Sequence, residues 1–181
     1  MELVFVDEKN LTANQKEQIK ILEQECFSDV DLREIAEDFI AESFGRLFTD
    51  DNNKIVGMLS LFKRNIEFEG ENILLGGMGG VCVTKAFRGK GIATEMLKKG
   101  IEILKKEGVE IACLNVDRKK GVYGLYEKLG FRFIGRDISF EDVNGKIKYD
   151  NSSMFMPINS EEKYQKVMNS KTTFHQGRGY W

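Results

Sequence analysis

Histidine, cysteine and proline are scarce in this chain. Its 181 residues include one histidine, three cysteines and one proline. The single histidine, His175, excludes a metal site built from several imidazoles. The three cysteines, Cys26, Cys82 and Cys113, are widely spaced and form no C-x-x-C pair, so they indicate neither a disulfide framework nor a zinc site. We therefore expect no bound metal ion.

Long apolar runs are absent as well. No stretch approaches the roughly 20 apolar residues of a membrane-spanning helix. The first residues also lack the basic and apolar regions of a secretory signal peptide. Together with the unpaired cysteines, these absences favour a cytoplasmic protein without a membrane partner.

A strong net charge of either sign is missing too. The 27 lysines and arginines nearly balance the 29 aspartates and glutamates, and the formal net charge of −2 gives no general attraction to nucleic acid. The two signs are nevertheless separated along the chain. Residues 1–60 carry 14 acidic and 6 basic side chains, whereas residues 85–120 carry 10 basic and 5 acidic ones. This separation suits a site that joins an anionic ligand to a cationic one, although solvated helix faces of opposite sign give the same pattern.

Glycine, in contrast, is abundant and clustered. Six of the 18 glycines fall within 16 consecutive residues: Gly76, Gly77, Gly79, Gly80, Gly89 and Gly91. The last two lie in a turn that leads from a predicted strand into a helix predicted over residues 89–107. Such a turn presents free backbone N–H groups and the positive end of a helix dipole, and Arg88 and Lys90 add full positive charges. The segment therefore predicts an anion site, with phosphate as the expected guest.

Apolar periodicity predicts a single domain, residues 1–181, in which helices accompany a mostly antiparallel sheet. The predicted order is a strand, two helices, a three-strand meander, a helix, a strand, a helix and two strands. The central strand–helix–strand unit indicates one parallel strand pair, as in mixed α/β or α+β folds. Residues 158–181 are the least patterned part, and we interpret them as a C-terminal tail.

Local patterns place several element boundaries. The segment Thr12–Gln15 has the sequence of a capping box and predicts the start of the first helix. Apolar residues at helical spacing predict a second helix over residues 32–40. The dipeptide Asn144-Gly145, which favours tight hairpin turns, predicts that residues 131–137 pair with residues 146–157.

Three phosphate-binding motifs compete for the glycine turn. A P-loop fails because Gly91 is followed by Ile92 rather than by lysine and a hydroxyl residue. A dinucleotide fingerprint, G-x-G-x-x-G, finds Thr94 at its third glycine and Asp117 as a candidate ribose-binding acid, which keeps a nucleotide-dependent oxidoreductase open. The third motif, R/Q-x-x-G-x-G/A, is satisfied by Arg88-Gly89-Lys90-Gly91-Ile92-Ala93.

The third motif and its two flanking segments resemble the GNAT superfamily of acyl-CoA-dependent N-acyltransferases. The strand Val81-Cys82-Val83 precedes the motif at the right distance, and Leu125–Phe131 is similar to the family's LYEKLGF helix end. The resemblance is close over residues 73–135 and follows the whole chain in element order. It implies a central, mostly antiparallel sheet with a splayed parallel pair, flanked by helices. It also implies an acetyl-CoA-dependent N-acetyltransferase that needs no metal.

Carried onto this chain, the resemblance implies a binding surface for acetyl-CoA. The pyrophosphate would lie on the helix start, and the pantetheine arm would pair with the strand edge. The implied residues are Val81, Cys82, Val83, Arg88, Gly89, Lys90, Gly91, Ile92, Ala93 and Thr94. A bulge or splay would leave backbone groups free for that pairing, and the glycines within 76–80 would permit a close approach. The side chain of Cys82 is expected in the core.

The reaction that the resemblance implies is direct attack of a primary amine on the thioester. Tyr126 takes the position of the family's tyrosine that protonates the leaving sulfur, whereas Tyr123 is expected to pack in the core. No general base is assigned, because Met78-Gly79-Gly80 carries no carboxylate where many members have one. Lys119 stands where the family frequently has asparagine.

The last residues of the sequence provide candidates for binding the acceptor amine. Residues 154–158 and the terminal Trp181 also resemble the aminoglycoside 2′-N-acetyltransferase branch. That similarity makes Trp181, or a terminal carboxylate there, a candidate substrate-binding group, although the acid of that branch is replaced by Gly179. The acidic first 60 residues favour a small cationic amine as substrate. A peptide or protein acetyltransferase and a non-catalytic CoA-binding sensor stay open, and the sequence is compatible with a homodimer.

Overall fold

A seven-stranded mixed sheet runs through the protein, and a three-stranded sheet packs against one of its faces. The computed structural model describes the backbone of residues 1–181 and every side chain except those of Leu32 and Glu34. The strands are β1 (Glu2–Asp7), β2 (Gly45–Asp50), β3 (Ile55–Phe68), β4 (Glu71–Val83), β5 (Ile111–Asn115), β6 (Arg132–Phe133), β7 (Ile138–Glu141), β8 (Ile147–Asp150), β9 (Ser153–Pro157) and β10 (Phe174–Arg178). The helices are α1 (Ala13–Cys26), α2 (Leu32–Glu37), α3 (Ile92–Lys106), α4 (Tyr123–Lys128) and α5 (Glu161–Asn169). In this described chain, no helix has the length and apolarity that crossing a membrane requires.

The larger sheet is antiparallel except at its centre. Its strand order is β1-β2-β3-β4-β5-β9-β6, and β4 runs parallel to β5. The helix α3 connects these two strands, so the predicted strand–helix–strand unit is present. The smaller sheet has the order β10-β7-β8, with β10 parallel to β7. The predicted fold class, a mixed α/β sheet flanked by helices, is confirmed.

One face of the larger sheet packs on α3 and α4. The side chains of α3 that are fully buried against it are Met96, Leu97 and Leu104. The amphipathic pattern predicted this face correctly. The helix begins at Ile92 rather than at Gly89, because Gly89 and Gly91 have φ values of +78° and +80°, which a right-handed helix cannot include.

The opposite face is covered by two separate parts of the chain. The helix α1 packs over Met58 and Cys82. At the other end, α5, β10 and the last residues pack over Leu75, Ile111 and Phe155. The segment interpreted as a C-terminal tail, residues 158–181, therefore contains a helix and a strand. Its contacts with the sheet stabilise these elements, since the segment has no strong apolar periodicity of its own.

The predicted hairpin turn is present, and the predicted pairing is right in part. Gly145 adopts φ = +78° in the turn, but this turn joins β7 to β8 in the smaller sheet. The short strand β6 pairs with β9, with Arg132 opposite Phe155, so residues 131–137 do pair with residues 146–157, although not across this turn. Residues 134–137 connect β6 in the larger sheet to β7 in the smaller one. The local sequence pattern does not predict this change of sheet.

The second helix is shorter than predicted. It ends at Glu37, and the carbonyl of Asp38 accepts hydrogen bonds from the backbone N–H groups of Ile40 and Tyr180. Phe39 then remains 41% exposed instead of joining an apolar stripe. The side chain of Leu32, the first member of the predicted stripe, lies outside the described residues.

The capping box at the start of α1 is confirmed, and it gives a first prediction. Thr12 Oγ1 accepts from the backbone N–H of Gln15, whose side chain accepts from the N–H of Thr12. Thr12→Ala should lower the free energy of unfolding by about 1 kcal/mol, measured by urea denaturation. Thr12→Ser, which retains the accepting oxygen, is the matched control, and equal stability of the two variants would contradict the capping role.

Candidate active site

A wedge opens between β4 and β5, because their parallel pairing is short. It consists of Leu75 opposite Ile111, Gly76 opposite Ala112 and Gly77 opposite Cys113. Beyond this point β5 stays paired with β9, while β4 continues along β3 to Val83. In the described chain no strand pairs with this edge of β4 after Gly77. Its backbone groups there are available to an extended ligand.

A β-bulge lies in the free part of β4. Met58 of β3 is opposite Cys82 and Ser60 is opposite Gly79, so the single residue between them on β3 faces both Gly80 and Val81. Gly80 adopts φ = +59°, which favours glycine at this position. The extra residue redirects the backbone groups of the strand. The predicted bulge and the predicted splayed pair are thus both present.

The start of α3 forms a small open cleft. It has a volume of about 230 Å³ and is lined by Val83, Phe87, Arg88, Gly89, Gly91, Ile92, Ala93 and Thr94. No atom lies within 4 Å of where a side chain on Gly89 or Gly91 would begin, so the loop is uncrowded there. The first-turn N–H groups of α3 have no acceptor within the helix. The cleft therefore has the geometry of an anion site.

The two basic side chains of this loop have different roles. Arg88 Nε donates to the carbonyl of Val83 at 2.9 Å, which ties the loop to the end of β4. Its Nη2 also donates to Cys26 Sγ at 3.8 Å, and the residue is exposed and borders the cleft. Lys90 lies outside the lining residues, with its Nζ 4.6 Å from the centre of the Phe87 ring.

Two residues of α1 hold the same loop from the other side. The Glu25 carboxylate accepts from Thr84 Oγ1 at 3.0 Å and from the backbone N–H of Lys85 at 2.7 Å. These hydrogen bonds, the backbone one foremost, lower the pKa of Glu25. Cys26 Sγ lies 3.7 Å from the carbonyl oxygen of Val83. Their separation of about sixty residues from the loop left no local pattern by which the sequence could reveal them.

The side chain of Cys82 points away from the wedge into the core. It is buried beneath α1, and burial, followed by the neighbouring Cys26 thiol, raises its pKa. Only the backbone of this residue is open to a ligand. Asp117, the candidate ribose-binding acid, instead accepts a hydrogen bond from the backbone N–H of Lys119 and caps a short turn.

Tyr126 is almost fully buried on α4, at 9% exposure. Its ring packs edge-to-face on Phe131, with centroids 6.5 Å apart. Burial raises the pKa of its phenol, so the hydroxyl remains protonated at neutral pH. Tyr123, expected in the core, is 39% exposed and packs on Phe133, because only one side of this short helix faces the sheet.

Trp181 covers the closed end of the wedge from one face of the sheet and is only 3% exposed. Its main-chain oxygen accepts from Asn115 Nδ2 at 2.7 Å. Asn115 Oδ1 in turn accepts from the hydroxyl of Ser153. The ring stacks on Phe62 at 5.2 Å. Of these groups the sequence singled out Trp181 alone, because the others belong to no motif and meet only through strand pairing.

The glycines of β4 are explained largely by this chain's own side chains. A Cβ on Gly76 would lie 2.6 Å from Val109, and one on Gly77 would lie 2.2 Å from the Trp181 ring. Gly79 faces the main-chain carbon of Trp181 at 3.0 Å. Gly76, Gly77 and Gly79 are therefore needed for packing within this chain, and the close approach of a ligand to these glycines stays a prediction. Gly80, which forms the bulge, is the one whose surroundings remain open.

Comparison with known proteins was made for sequence and structure. Residues 8–134 match the family model described as an acetyltransferase (GNAT) domain. No curated protein matches the sequence. The structure is similar to that of the GNAT family N-acetyltransferase YhbS from Escherichia coli, determined in complex with CoA, at 17% identity and a TM-score of 0.61 over 98% of this chain and 89% of that one.

Two other solved structures share the fold. ElaA from Escherichia coli is 15% identical, with a TM-score of 0.64 over 86% of this chain and 99% of that one. The ribosomal-protein-S18-alanine N-acetyltransferase from Escherichia coli is also 15% identical, with a TM-score of 0.56 over 90% of this chain and 97% of that one.

The contact of Trp181 with Gly77 gives a second prediction. Gly77→Ala should displace the indole, red-shift the fluorescence of this single tryptophan and destabilise the protein by about 1–3 kcal/mol. Emission spectra and urea denaturation measure the two effects. Gly124→Ala is the matched control, because a Cβ there meets no atom within 4 Å. An unshifted spectrum for Gly77→Ala would contradict the described packing.

Proposed function

The chain belongs to the GNAT family of acetyltransferases, and we propose that it transfers the acetyl group of acetyl-CoA directly to a primary amine of a small cationic molecule. Family membership establishes acetyl-CoA-dependent N-acetyl transfer. The proposal adds the placement of acetyl-CoA, the residue that supplies the proton and the class of acceptor. The observation that carries it is the free edge of β4, which leads from an anion site into a wedge.

The anion site suits the diphosphate of CoA. The open N–H groups at Gly89 and Gly91 and the positive end of the α3 dipole favour a phosphate, and the exposed Arg88 guanidinium adds a full charge. The backbone groups of Val81 lie on the free edge of β4 beside this site, whereas the Val83 carbonyl already accepts from Arg88 Nε. An extended arm with amide groups would pair there as an additional strand.

The chemical step needs a proton at the leaving sulfur. The neutral amine nitrogen bonds to the acetyl carbon, the carbon–sulfur bond breaks, and CoA leaves as its thiol. The proton that the nitrogen loses passes to water, and water returns a proton to the group that protonated the sulfur. Tyr126 is suited to protonate the sulfur, because burial raises the pKa of its phenol and keeps it protonated at neutral pH. The redirected N–H groups of the Gly80 bulge are suited to polarise the carbonyl oxygen.

The acidic segment that follows α1 supports a cationic acceptor. Its residue Asp38 accepts from the backbone N–H of Tyr180 at 2.7 Å, and Phe39 packs on the Tyr180 ring. The segment therefore lies next to Trp181, which borders the wedge. Asp31 adds negative charge to this segment, whereas Glu37 and Asp38 form ion pairs with Lys148.

The structure also explains the departure at Gly179 from the aminoglycoside-acetylating branch. Gly179 has φ = +78°, and a Cβ there would lie 2.5 Å from the backbone nitrogen of Ala41. An acidic side chain does not fit at this position. Trp181 itself remains proposed as a substrate-lining residue.

A ligand-binding and turnover screen tests the function. Acetyl-CoA and CoA should raise the melting temperature, NADP should not, and thiol release should follow addition of one or more amines. The panel contains polyamines, aminoglycosides and peptides with a free N-terminus. Turnover of peptides alone would reject the small-molecule acceptor, and a thermal shift without thiol release from any amine would favour a CoA sensor.

The role of Tyr126 gives a third prediction. Tyr126→Phe should lower kcat by roughly 100-fold, because the leaving sulfur loses its proton donor, while the Kd of CoA stays unchanged. Steady-state thiol release and calorimetry measure the two quantities. Tyr123→Phe, an exposed tyrosine on the same helix, is the matched control. Equal kcat values for Tyr126→Phe and the unmodified enzyme would remove the assigned role.

The role of Arg88 gives a fourth prediction. Arg88→Ala should weaken CoA binding by about tenfold or more, because a charge-assisted contact to the diphosphate is lost. Calorimetric titration with CoA measures this change. Lys98→Ala, on the exposed side of α3, is the control for net charge. Equal loss of affinity in both variants would show a general electrostatic effect instead of a specific contact.

A further inference from the structure

Residue 181 bridges the two strands at the point where they separate. On the β5 side its oxygen accepts from Asn115 Nδ2 at 2.7 Å. On the β4 side its main-chain carbon lies 3.0 Å from where a Cβ of Gly79 would be. The last β4–β5 pair is Gly77 with Cys113. Trp181 thus covers the closed end of the wedge from one face of the sheet, with its indole over Gly77 and its main chain over Gly79.

The indole is held from several sides. It stacks on Phe62 with the ring planes 10° apart, and the Arg64 guanidinium carbon lies 4.3 Å from a ring centre. Arg64 Nη1 also donates to the carbonyls of Gln176 at 3.2 Å and Arg178 at 2.6 Å. These contacts hold both the indole ring and the segment that carries it, so the ring is fixed in one position.

The location of the anion site fixes the direction in which a bound acyl group points. The cleft at Gly89–Thr94 lies beyond the C-terminal end of β4. An arm that starts there and follows the free edge passes Val83 and then Val81, so its far end points toward Gly79 and Trp181. With a rise of about 3.3 Å per residue, Gly79 is only about 7 Å beyond Val81.

We propose that Trp181 is the end wall of the acyl pocket and restricts the donor to acetyl-CoA and other short-chain acyl-CoA. This inference rests on the proposed function, because it uses the placement of CoA along β4. A longer acyl chain meets the buried indole and the Gly77 backbone behind it. Trp181 is therefore a specificity-determining residue for the donor.

The test compares the binding of acetyl-, propionyl-, butyryl- and hexanoyl-CoA by calorimetry, without an amine. The unmodified protein should bind hexanoyl-CoA at least tenfold more weakly than acetyl-CoA. Trp181→Ala should reverse this order, because each methylene that enters the opened space strengthens binding by up to about fourfold. Trp181→Phe, which removes less volume and retains an aromatic ring, should give an intermediate ratio even if the alanine variant folds poorly.

The matched control is Val167→Ala, which shortens a fully buried side chain of α5 in the same core cluster. It should reduce stability and leave the ratio of the hexanoyl-CoA to the acetyl-CoA dissociation constant as in the unmodified protein. The same change of ratio in Val167→Ala would show that general loosening of the core admits the longer chain, and it would overturn the inference.

The remaining outcomes separate this inference from the proposed function. Equal binding of all four acyl-CoA molecules by the unmodified protein would overturn the inference alone. An unchanged ratio in Trp181→Ala and Trp181→Phe, with a changed KM for the amine, would assign Trp181 to the acceptor site and also overturn it. If the unmodified protein bound no acyl-CoA at all, the proposed function would fail and this inference with it.

Discussion

The parallel pairing of β4 with β5 stops after three residue pairs, and the functional part of the molecule is arranged around that divergence. On one side of the divergence β5 is drawn to β9, and on the other β4 stays with β3. Unpaired backbone groups in a protein interior are costly unless something satisfies them. The unpaired backbone edge of β4 therefore destabilises the protein by itself, and a ligand that pairs like a strand would satisfy its groups.

The protein closes one end of the gap with its own chain and leaves the other end open. Trp181 covers the closed end from one face of the sheet, supported by Phe62, Arg64 and Asn115. The open end leads past the Gly80 bulge to the start of α3. Because the closed end is packed to van der Waals contact, β4 needs glycine at residue 77, while the open end needs glycine at residue 80 for its backbone conformation. The glycine cluster thus meets two requirements: close packing at Gly77 and a left-handed backbone at Gly80.

Charge follows the same division. The basic loop at α3 borders the open end of the gap, and the acidic segment after α1 contacts the residues at the closed end. Glu25 connects the two regions, since it lies at the end of α1 and binds the N–H of Lys85. An anionic donor and a cationic acceptor would therefore approach from regions of complementary sign.

The sequence by itself determined the features that depend on neighbouring residues. The Thr12 capping box, the apolar side of α3 and the Asn144-Gly145 turn all arise from interactions within a few residues, and each was predicted. Apolar periodicity also predicted the order of the elements, and the glycine turn predicted the anion site.

Tertiary structure alone decided what comes from residues far apart in the chain. The partner strands of the Asn144-Gly145 turn, the exposure of Tyr123 and the ordered segment at 158–181 differ from the prediction, because strand pairing and burial against distant residues override local pattern. The wall at Trp181 joins four distant parts of the chain through Phe62, Gly77 and Asn115. Sequence periodicity cannot predict these contacts, because they join residues up to about 120 positions apart.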